Sequence, residues 1–356
     1  MPTFRHGKIT AVDVDGTDIV LCRIATDDGE IEAAAWPSMS GKVAVGDRVV
    51  VNTTGIELGL GTGGWGFVLW NLDGSGPAGR AEGHIVKLRY TPWQTEVLAA
   101  EEPDSPHHAA LQEATSIHGM PVVACGLHSQ IAGVAAGIKA ERSDARVAYV
   151  MTDGAAVPMS WSGLVRELQT AGLIDVTCTA GHAFGGDLEA VNVFSALAAV
   201  RHAADADLAI VAMGPGVVGT STALGFTAIE QGQVLDAAAA LGGRAVACLR
   251  ICFADERPRH HGLSHHTITA LTVAAQRPAT VVMPELPAEQ TAEAMRRVEA
   301  SGLDERHELV TSDGKPGLDL LLETGIEVSS MGRSPQEIPE LWLAAAAAGR
   351  VAASWL

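Results

Sequence analysis

Histidine is concentrated in one short segment of this sequence. The chain has 356 residues and 13 histidines, and four of them lie between positions 260 and 266. Neutral imidazole is a common metal ligand, and imidazole also titrates near neutral pH. The segment therefore predicts a divalent-metal site formed by His261, His265 and His266, or a metal-free site that uses imidazole for acid–base chemistry or substrate binding. Histidines without a functional role are the third possibility, since no HExxH motif is present.

Further candidate catalytic residues follow predicted strands. His128, Asp153, His182 and Asp187 each lie just beyond an apolar run and within two positions of a glycine. Because ligands bind beyond the carboxyl ends of strands in open α/β sheets, these positions favour chemistry. Together with His265 they form the predicted catalytic set, in which the two carboxylates serve as general bases or metal ligands. Asp next to Gly is also ordinary turn chemistry, and that alternative stays open.

A glycine-rich segment at 214–220 follows one predicted strand and precedes a predicted helix. It matches GxGxxG, a pattern in which backbone N–H groups approach an anion at a helix N-terminus. Gly214, Gly216, Gly219 and Thr220 are therefore predicted to bind an anion. In a dinucleotide fingerprint an acidic residue ends the next strand about 20 residues on, whereas Asp255 lies roughly twice as far away. A nucleotide cofactor, a phosphate or carboxylate cradle and a plain packing turn all remain open.

Arginines flank the histidines and concentrate positive charge. Arg257 and Arg259, preceded by Arg250, lie in a chain whose formal net charge is -18. A guanidinium offers paired hydrogen bonds to phosphate or carboxylate. We therefore predict that Arg257 and Arg259 bind an anion, with salt bridges to Asp255 or Glu256 as the alternative.

Beyond residue 104 the order of apolar and polar segments predicts an α/β fold. Apolar, β-branched runs predict strands at 122–125, 146–153, 175–181, 208–214, 245–255, 280–286, 307–313 and 327–330. Helices are predicted at 131–142, 161–171, 188–204, 221–241, 267–275, 288–301 and 316–322, with a last helix starting near Pro335. Continuous apolar strands that alternate with helices are typical of a mostly parallel, doubly wound sheet.

A different pattern precedes this region. Residues 8–72 show short strands joined by tight turns such as Asp15-Gly16, and they predict a small β-barrel-like module. A linker is predicted at 73–79, and one more strand at 84–90 either closes the barrel or leads out of it. We predict a β-rich module over residues 1–90 and an α/β domain over 91–356. The segments 52–54 and 61–64 are either hairpin turns or a binding edge.

Charge and composition exclude several classes of function. A net charge of -18 repels phosphate backbones and anionic lipids, so we expect a small anion as partner and neither nucleic acid nor a membrane surface. No signal peptide is visible, and no apolar run reaches the ~18 residues of a spanning helix. Five cysteines without a CxxC motif suit a cytoplasmic protein. The alanine-rich tail at 341–353 offers one route to a homo-oligomer.

Several of these segments together resemble a bacterial domain-of-unknown-function family found mainly in actinobacteria and clostridia. The resemblance rests on residues 52–54 and 60–64, His128-Ser129-Gln130, the segment 214–220 and the segment 262–267, and it covers most of the chain. It implies a bacterial cytosolic protein and brings no particular activity, substrate or catalytic residue with it.

Three functions are compatible with these observations. The first is an enzyme, a hydrolase with metal assistance, that acts on a small phosphate- or carboxylate-bearing substrate. The second is a regulatory protein that binds a metabolite or nucleotide without turnover, and the third is an assembly protein that pairs through its last helix. The first two require that histidines and carboxylates far apart in the chain meet around the glycine-rich segment.

Overall fold

Two compact units make up the computed structural model of the chain. It describes residues 1–59, 64–77 and 83–356, which divide into Met1–Val97 and Leu98–Leu356. The stretch at 60–63, which includes three residues of the predicted binding edge at 61–64, and the end of the predicted linker at 78–79 lie outside the described residues. Each unit has its own buried apolar core, as independent structural domains do.

A closed five-stranded barrel forms the first unit. Its strands are β1 (Phe4–Asp15), β2 (Val20–Thr26), β3 (Gly29–Ala35), β4 (Arg48–Asn52) and β5 (Gly66–Asn71). They close in the order β1-β2-β3-β5-β4, and β4 pairs back to β1. Alternate residues of β2, namely Val20, Cys22 and Ile24, are buried in the barrel core, which is the period of two that a one-sided strand requires. The predicted barrel-like module is confirmed.

Shorter elements complete this unit. They are α1 (Pro37–Ser40), α2 (Thr54–Glu57), β6 (Ile85–Lys87) and β7 (Thr95–Val97). The predicted strand at 84–90 is shorter than expected, because the chain turns at Leu88 and Tyr90, both with positive φ. It pairs with β7 in a separate hairpin and does not join the barrel. At the predicted binding edge, Asn52 Oδ1 accepts hydrogen bonds from the N–H and hydroxyl of Thr54, as in an ordinary turn.

The second unit is built on one large sheet. Its strands are β8 (Pro121–Ala124), β9 (Val147–Thr152), β10 (Val176–Thr179), β11 (Leu188–Glu189), β12 (Leu208–Met213), β13 (Arg244–Cys248), β14 (Ile251–Cys252), β15 (Gly262–Leu263), β16 (Thr280–Pro284) and β17 (Glu308–Ser312). Eight of them form a sheet in the order β11-β10-β9-β12-β8-β13-β16-β17, and every pairing in it is parallel. The remaining two, β14 and β15, form a small antiparallel sheet.

Helices cover both faces of this sheet. They are α3 (His108–Leu111), α4 (Gln130–Glu141), α5 (Gly163–Thr170), α6 (Val193–His202), α7 (Glu230–Ala240), α8 (His265–Thr269), α9 (Ala288–Ser301), α10 (Leu303–Arg306), α11 (Lys315–Glu323) and α12 (Pro339–Ala353). One apolar cluster takes residues from α4, α5, α11 and α12. A second cluster takes residues from α6, α7, α9 and α10. The predicted doubly wound α/β fold is therefore confirmed.

Several predicted boundaries are wrong for identifiable reasons. The helix expected at 221–241 begins only at Glu230, because hydroxyls of Thr220 and Thr222 bond the backbone of Gly225 and hold a turn. The helix expected at 188–204 begins at Val193, since the residues before it form β11. The strand expected at 245–255 is interrupted between β13 and β14, and at 327–330 the structure has only one bridge, from Ser330 to Arg333.

Helix α8 continues into a wider turn of π-helix at Ala270–Ala274. Helix α7 packs very closely against this turn at Gly232, where an added Cβ would lie 2.4 Å from the carbonyl oxygen of Ala270. The contact leaves no space for a larger residue, so α7 and the π-turn are held together through their backbones.

The alanine-rich C-terminal segment forms helix α12 and packs inside its own unit. Residues such as Ala345 and Ala348 are fully buried in the core shared with α4. An added Cβ on Gly137 of α4 would lie 2.1 Å from the carbonyl oxygen of Ala346, so the two helices touch through their backbones. Among the helices of the described residues, none combines the length and the apolar character needed to cross a bilayer.

The close contact of α4 and α12 yields a stability prediction. We expect Gly137→Ala to lower the free energy of unfolding by about 1–3 kcal/mol, because the methyl group forces the two helices apart. The control is Gly163→Ala, since the nearest atom to its added Cβ is 3.8 Å away, and this change should stay within about 0.5 kcal/mol. Urea unfolding followed by circular dichroism measures both. Equal effects of the two changes would contradict the packing argument.

Candidate functional site

The connections that leave β8 and β12 pass to opposite faces of the sheet. After β8 the chain enters α4 on one face, and after β12 it enters α7 on the other face. Because β8 and β12 are neighbours in the sheet, their carboxyl ends form a topological switch point, the position where α/β proteins bind ligands. The loop after β13, on the other side of β8, borders the same edge.

The histidine-rich segment is folded back on itself by the small sheet of β14 and β15. The pairing of Cys252 with Gly262 closes the intervening loop. The backbone N–H of Ser264 then donates to the carbonyl of Arg250, and that of His265 donates to the carbonyl of Arg259, each at 2.9 Å. These bonds place Arg250 and Arg259 next to the first turn of α8.

Three histidines meet at this point. Ligand atoms of His260, His265 and His266 all lie within 4.8 Å of one another, and the ring centroids are 4.5–5.0 Å apart. His260 is 1% exposed and His266 is 8% exposed. We call these three residues the histidine cluster. Its close spacing and burial suit either a metal ion or a polar ligand group.

The hydrogen bonds of His260 define its tautomer. Arg259 Nε–H donates to His260 Nε2 at 3.2 Å, so this nitrogen is unprotonated. The proton therefore lies on Nδ1, which donates to the Ser264 hydroxyl oxygen at 2.8 Å. The same oxygen accepts from the backbone N–H of His266 and caps α8. The lone pair of His260 is thus on Nε2, and the ring is held in place by Ser264 at its other nitrogen.

The other two histidines are held by ring contacts. His266 stacks on Phe226, with centroids 4.0 Å apart and planes 3° from parallel. Phe226 also meets the edge of His265 at 5.7 Å. His265 Nε2 is buried and has no hydrogen-bond partner within the described part of the chain. A buried polar nitrogen of this kind is costly unless something binds it, and it is thus the atom of the cluster that most requires a ligand.

Arginines surround the cluster. Arg250 is almost fully buried, with Nη1 3.5 Å from His266 Nδ1 and Nη2 3.6 Å from an oxygen of Asp255. Arg257 forms two hydrogen bonds to the same carboxylate, at 2.9 and 2.7 Å, so the predicted alternative of a salt bridge to Asp255 holds for Arg257. Arg297 donates to backbone carbonyls of the loop. Arg250 Nε, like His265 Nε2, is buried without a partner among the described residues.

This environment keeps the histidines neutral. Burial, and then the charge of Arg250, lower the pKa of His260 and of His266 to about 3. Burial and the charge of Arg259 lower the pKa of His265 as well. Contact with Arg257 lowers the pKa of the Asp255 carboxyl, which stays ionised. At neutral pH the three imidazoles of the site are therefore uncharged, and the charged side chains around them carry a net positive charge.

The glycine-rich segment reaches the histidine cluster through one residue. An added Cβ on Gly219 would lie 3.3–3.4 Å from Cε1 and Nε2 of His266, and Gly219 bridges to Phe226. Gly214 and Gly216 face Ala156 and Ala155 instead. The Thr220 hydroxyl donates to the carbonyl of Gly225.

The helix after this segment starts only at Glu230, and the expected cradle at a helix N-terminus is therefore absent from 214–220. The segment packs against His266 through Gly219, and it does not form a dinucleotide fingerprint. The closed turn at Gly225 keeps the chain from entering α7 directly, which the GxGxxG pattern could not reveal.

One predicted ligand lies elsewhere. His261 Nε2 is 3.5 Å from a carboxylate oxygen of Glu293, and its ring meets the edge of Phe253. The structure brings His260 into the cluster in its place, because adjacent residues before β15 point in different directions. His260 was visible in the sequence as one of the four clustered histidines, but nothing in the local pattern distinguishes it from His261.

Two other predicted catalytic residues hold structural bonds. His128 Nδ1 lies 3.1 Å from the carbonyl oxygen of Met213, and its Nε2 accepts from the hydroxyl of Ser162 at 2.7 Å. Burial lowers the pKa of His128 to about 4, so it is a neutral link between the ends of β8 and β12. Asp187 accepts from both the N–H and the hydroxyl of Thr177, each at 2.8 Å, and it secures the sheet edge at β10.

Asp153 lines a cavity of about 290 Å³ between β9, β10 and the start of α7. Asp153 Oδ2 accepts from the backbone N–H of His182 at 2.8 Å. Glu230 also lines the cavity and accepts from the Thr152 hydroxyl at 2.5 Å. Burial raises the pKa of Glu230 to about 7, and the nearby charge of Asp153 adds to this effect. Glu230 was not predicted from the sequence, since it lay inside a helix that was expected to start earlier.

The raised pKa of Glu230 predicts a dependence of stability on pH. Its ordinary value is 4.5 and its value in the fold is about 7, so the folded state binds the proton more tightly than the unfolded state. The stabilisation is complete below about pH 4.5 and is lost as pH rises through 7. We expect Glu230→Gln, a neutral isostere, to gain about 2 kcal/mol in unfolding free energy relative to the unaltered chain between pH 5 and pH 8.

Urea unfolding at both pH values measures the effect. Glu323→Gln, at an exposed position of α11, is the control and should show a constant difference from the unaltered chain. A constant difference for Glu230→Gln as well would show that Glu230 does not titrate in this range.

Comparison with known proteins identifies a family. A family model with the description "Protein of unknown function (DUF3866)" matches residues 32–349, most of the chain, and the resemblance to a domain-of-unknown-function family is thereby confirmed. No curated protein and no solved structure shows a significant match. The chain, with its five-stranded barrel, its eight-stranded parallel sheet and its histidine cluster, belongs to the DUF3866 family.

Proposed function

We propose that the protein is a metal-assisted hydrolase that acts on a small anionic substrate at the histidine cluster. The observation that carries this proposal is the convergence of His260, His265 and His266, with ligand atoms within 4.8 Å of one another, among arginines. The substrate would carry a phosphate or carboxylate group, because that is the chemistry a guanidinium binds best.

The spacing of the cluster supports a transition metal. Nitrogen ligands at ~2.1 Å from a tetrahedral metal lie ~3.4 Å apart, so the rings need to close by about 1 Å or slightly more. Neutral imidazole is the form that binds metal, and the low pKa values of His260 and His266 provide it. Three histidines leave a fourth position open, as in catalytic zinc sites, and imidazole also suits cobalt, nickel and copper.

The surrounding charge supports an anionic substrate. Asp255 is the carboxylate that pairs with both Arg250 and Arg257, so its single charge is divided between two cations. A divalent metal would add further positive charge to this surround. Binding an anion next to the metal offsets that repulsion, and in a partly buried site the interaction is less screened than at a surface.

The residues of this chain would then have separate tasks. When bound, a metal of this kind lowers the pKa of a coordinated water to about 7 and supplies the nucleophile for hydrolysis. His260 is oriented by Ser264, as the ligands of metal sites are by their hydrogen-bond partners. Phe226 covers His266 and excludes water from that side, and Arg250 and Arg259 stabilise negative charge on the substrate.

A second candidate is an anion-binding protein without metal or turnover. It is favoured by two contacts, since Arg259 already bonds His260 Nε2 and Arg250 lies against His266. In this case the arginines and the unbonded His265 Nε2 would hold a metabolite such as a phosphorylated sugar or a nucleotide. The free, buried cysteines support a cytoplasmic location for either function, because thiols persist in a reducing compartment.

Metal uptake separates the two candidates. We expect the purified protein, dialysed against Zn²⁺ or Co²⁺, to retain about one metal per chain, with the intense visible bands of tetrahedral Co²⁺. His265→Ala should weaken metal affinity by more than ~100-fold, because it removes a ligand. His261→Ala is the matched control and should bind normally, since His261 faces Glu293.

Hydrolysis of phosphate and carboxylate esters, assayed with and without added metal, then tests turnover. Retention of metal by both histidine variants would place the site elsewhere. Absence of metal uptake, together with thermal stabilisation by phosphate, would establish the anion-binding alternative.

A further inference from the structure

We propose that Arg259 couples the two ligands of the site: it occupies the metal-binding nitrogen of His260 until a metal displaces it, and it then binds the anionic group of the substrate. This inference rests on the proposed function, because it assigns a regulatory step to the same metal site. Its consequence is that metal and anion bind with positive cooperativity.

The displacement of Arg259 by a metal follows from the hydrogen bonds of His260. Nδ1 is committed to Ser264, which also caps α8, so turning the ring over would break that bond. The nitrogen that remains for a metal is Nε2, and Arg259 Nε–H already donates to it. One lone pair cannot serve both, so a metal must displace the guanidinium.

The displaced side chain cannot travel far. The carbonyl of Arg259 accepts from the backbone N–H of His265 at 2.9 Å, which fixes the main chain of Arg259 beside α8. The side chain is only partly buried and is free to change rotamer around this fixed point. Its guanidinium therefore stays within reach of whatever occupies the open position of the metal.

The charges explain why Arg259 and not a neighbour has this role. Arg257 and Arg250 both pair with Asp255, whereas within the described part of the chain Arg259 has no carboxylate partner within 4.0 Å. A released Arg259 would lie beside a divalent cation, and the repulsion between the two is relieved by an anion that bridges them. By linkage, the anion then strengthens metal binding by the same factor as the metal strengthens anion binding.

Titration calorimetry with Zn²⁺ and inorganic phosphate tests the coupling. For the unaltered protein we expect Zn²⁺ to bind about 10-fold more tightly in the presence of saturating phosphate, and phosphate to gain the same factor from Zn²⁺. Arg259→Ala should bind Zn²⁺ alone several-fold more tightly, because the competitor for Nε2 is gone, and should lose the effect of phosphate. This combination is not expected from a purely structural arginine, whose loss would weaken both ligands.

Two further variants keep the test decisive. Arg296→Ala removes an exposed arginine of α9 and should behave like the unaltered chain, while Arg259→Lys keeps a cation and should retain part of the coupling. Phosphate coupling that persists undiminished in Arg259→Ala, or Zn²⁺ affinity that does not rise in it, would overturn the role of Arg259 and leave the metal site standing. Failure of the unaltered protein to bind Zn²⁺ at all would overturn the proposed function and this inference together.

Discussion

Buried backbone N–H and C=O groups need hydrogen-bond partners even where neighbouring strands diverge. This constraint shapes the edge of the sheet at the carboxyl ends of its central strands. Where β8 and β13 end, two glutamines replace the lost ladder bonds. Gln130 accepts from the N–H groups of Gly126 and Leu127 and donates to the carbonyl of Leu249. Gln231 donates to the carbonyls of Ala124 and Cys248. Because these groups are hydrogen-bonded, the loops after β8 and β13 can separate without leaving an unpaired amide in the core.

Much of this architecture could be predicted from the sequence, and the errors have physical causes. The sheet followed from unbroken apolar runs, and the amphipathic helix at 288–301 was placed at its observed ends. The site was harder to predict from the sequence, because β14 and β15 are only two residues long. Their pairing decides that His260, and not His261, enters the cluster. The bonds of Asp187 to Thr177 could not be foreseen, because they depend on how β10 and the loop after it fold. The convergence of Phe226 with His266 depends on a turn that no helical period reveals.

The histidine cluster also shows how local charge can oppose the charge of the whole chain. The net charge is -18, yet Arg250, Arg257, Arg259 and Arg297 gather around three neutral rings, and Asp255 pairs with only the first two of these arginines. An acidic exterior repels polyanions, while the local excess of guanidinium groups favours small anions. Under the proposed function, this arrangement would select substrates by size and charge.

The π-turn after α8 affects how the protein can tolerate change. A π-turn holds one more residue than an α-helical turn, so the chain from Ala270 to Ala274 contains, in effect, an insertion locked in place by the close approach of Gly232. Removal of one residue there would restore the α-helical repeat with little rotation of the residues on either side, because the wider turn absorbs the extra residue locally. His265 and His266 would then keep their orientation, whereas the backbone of the turn would move relative to Gly232, so the extra residue serves the packing of α7 and not the placement of the histidines.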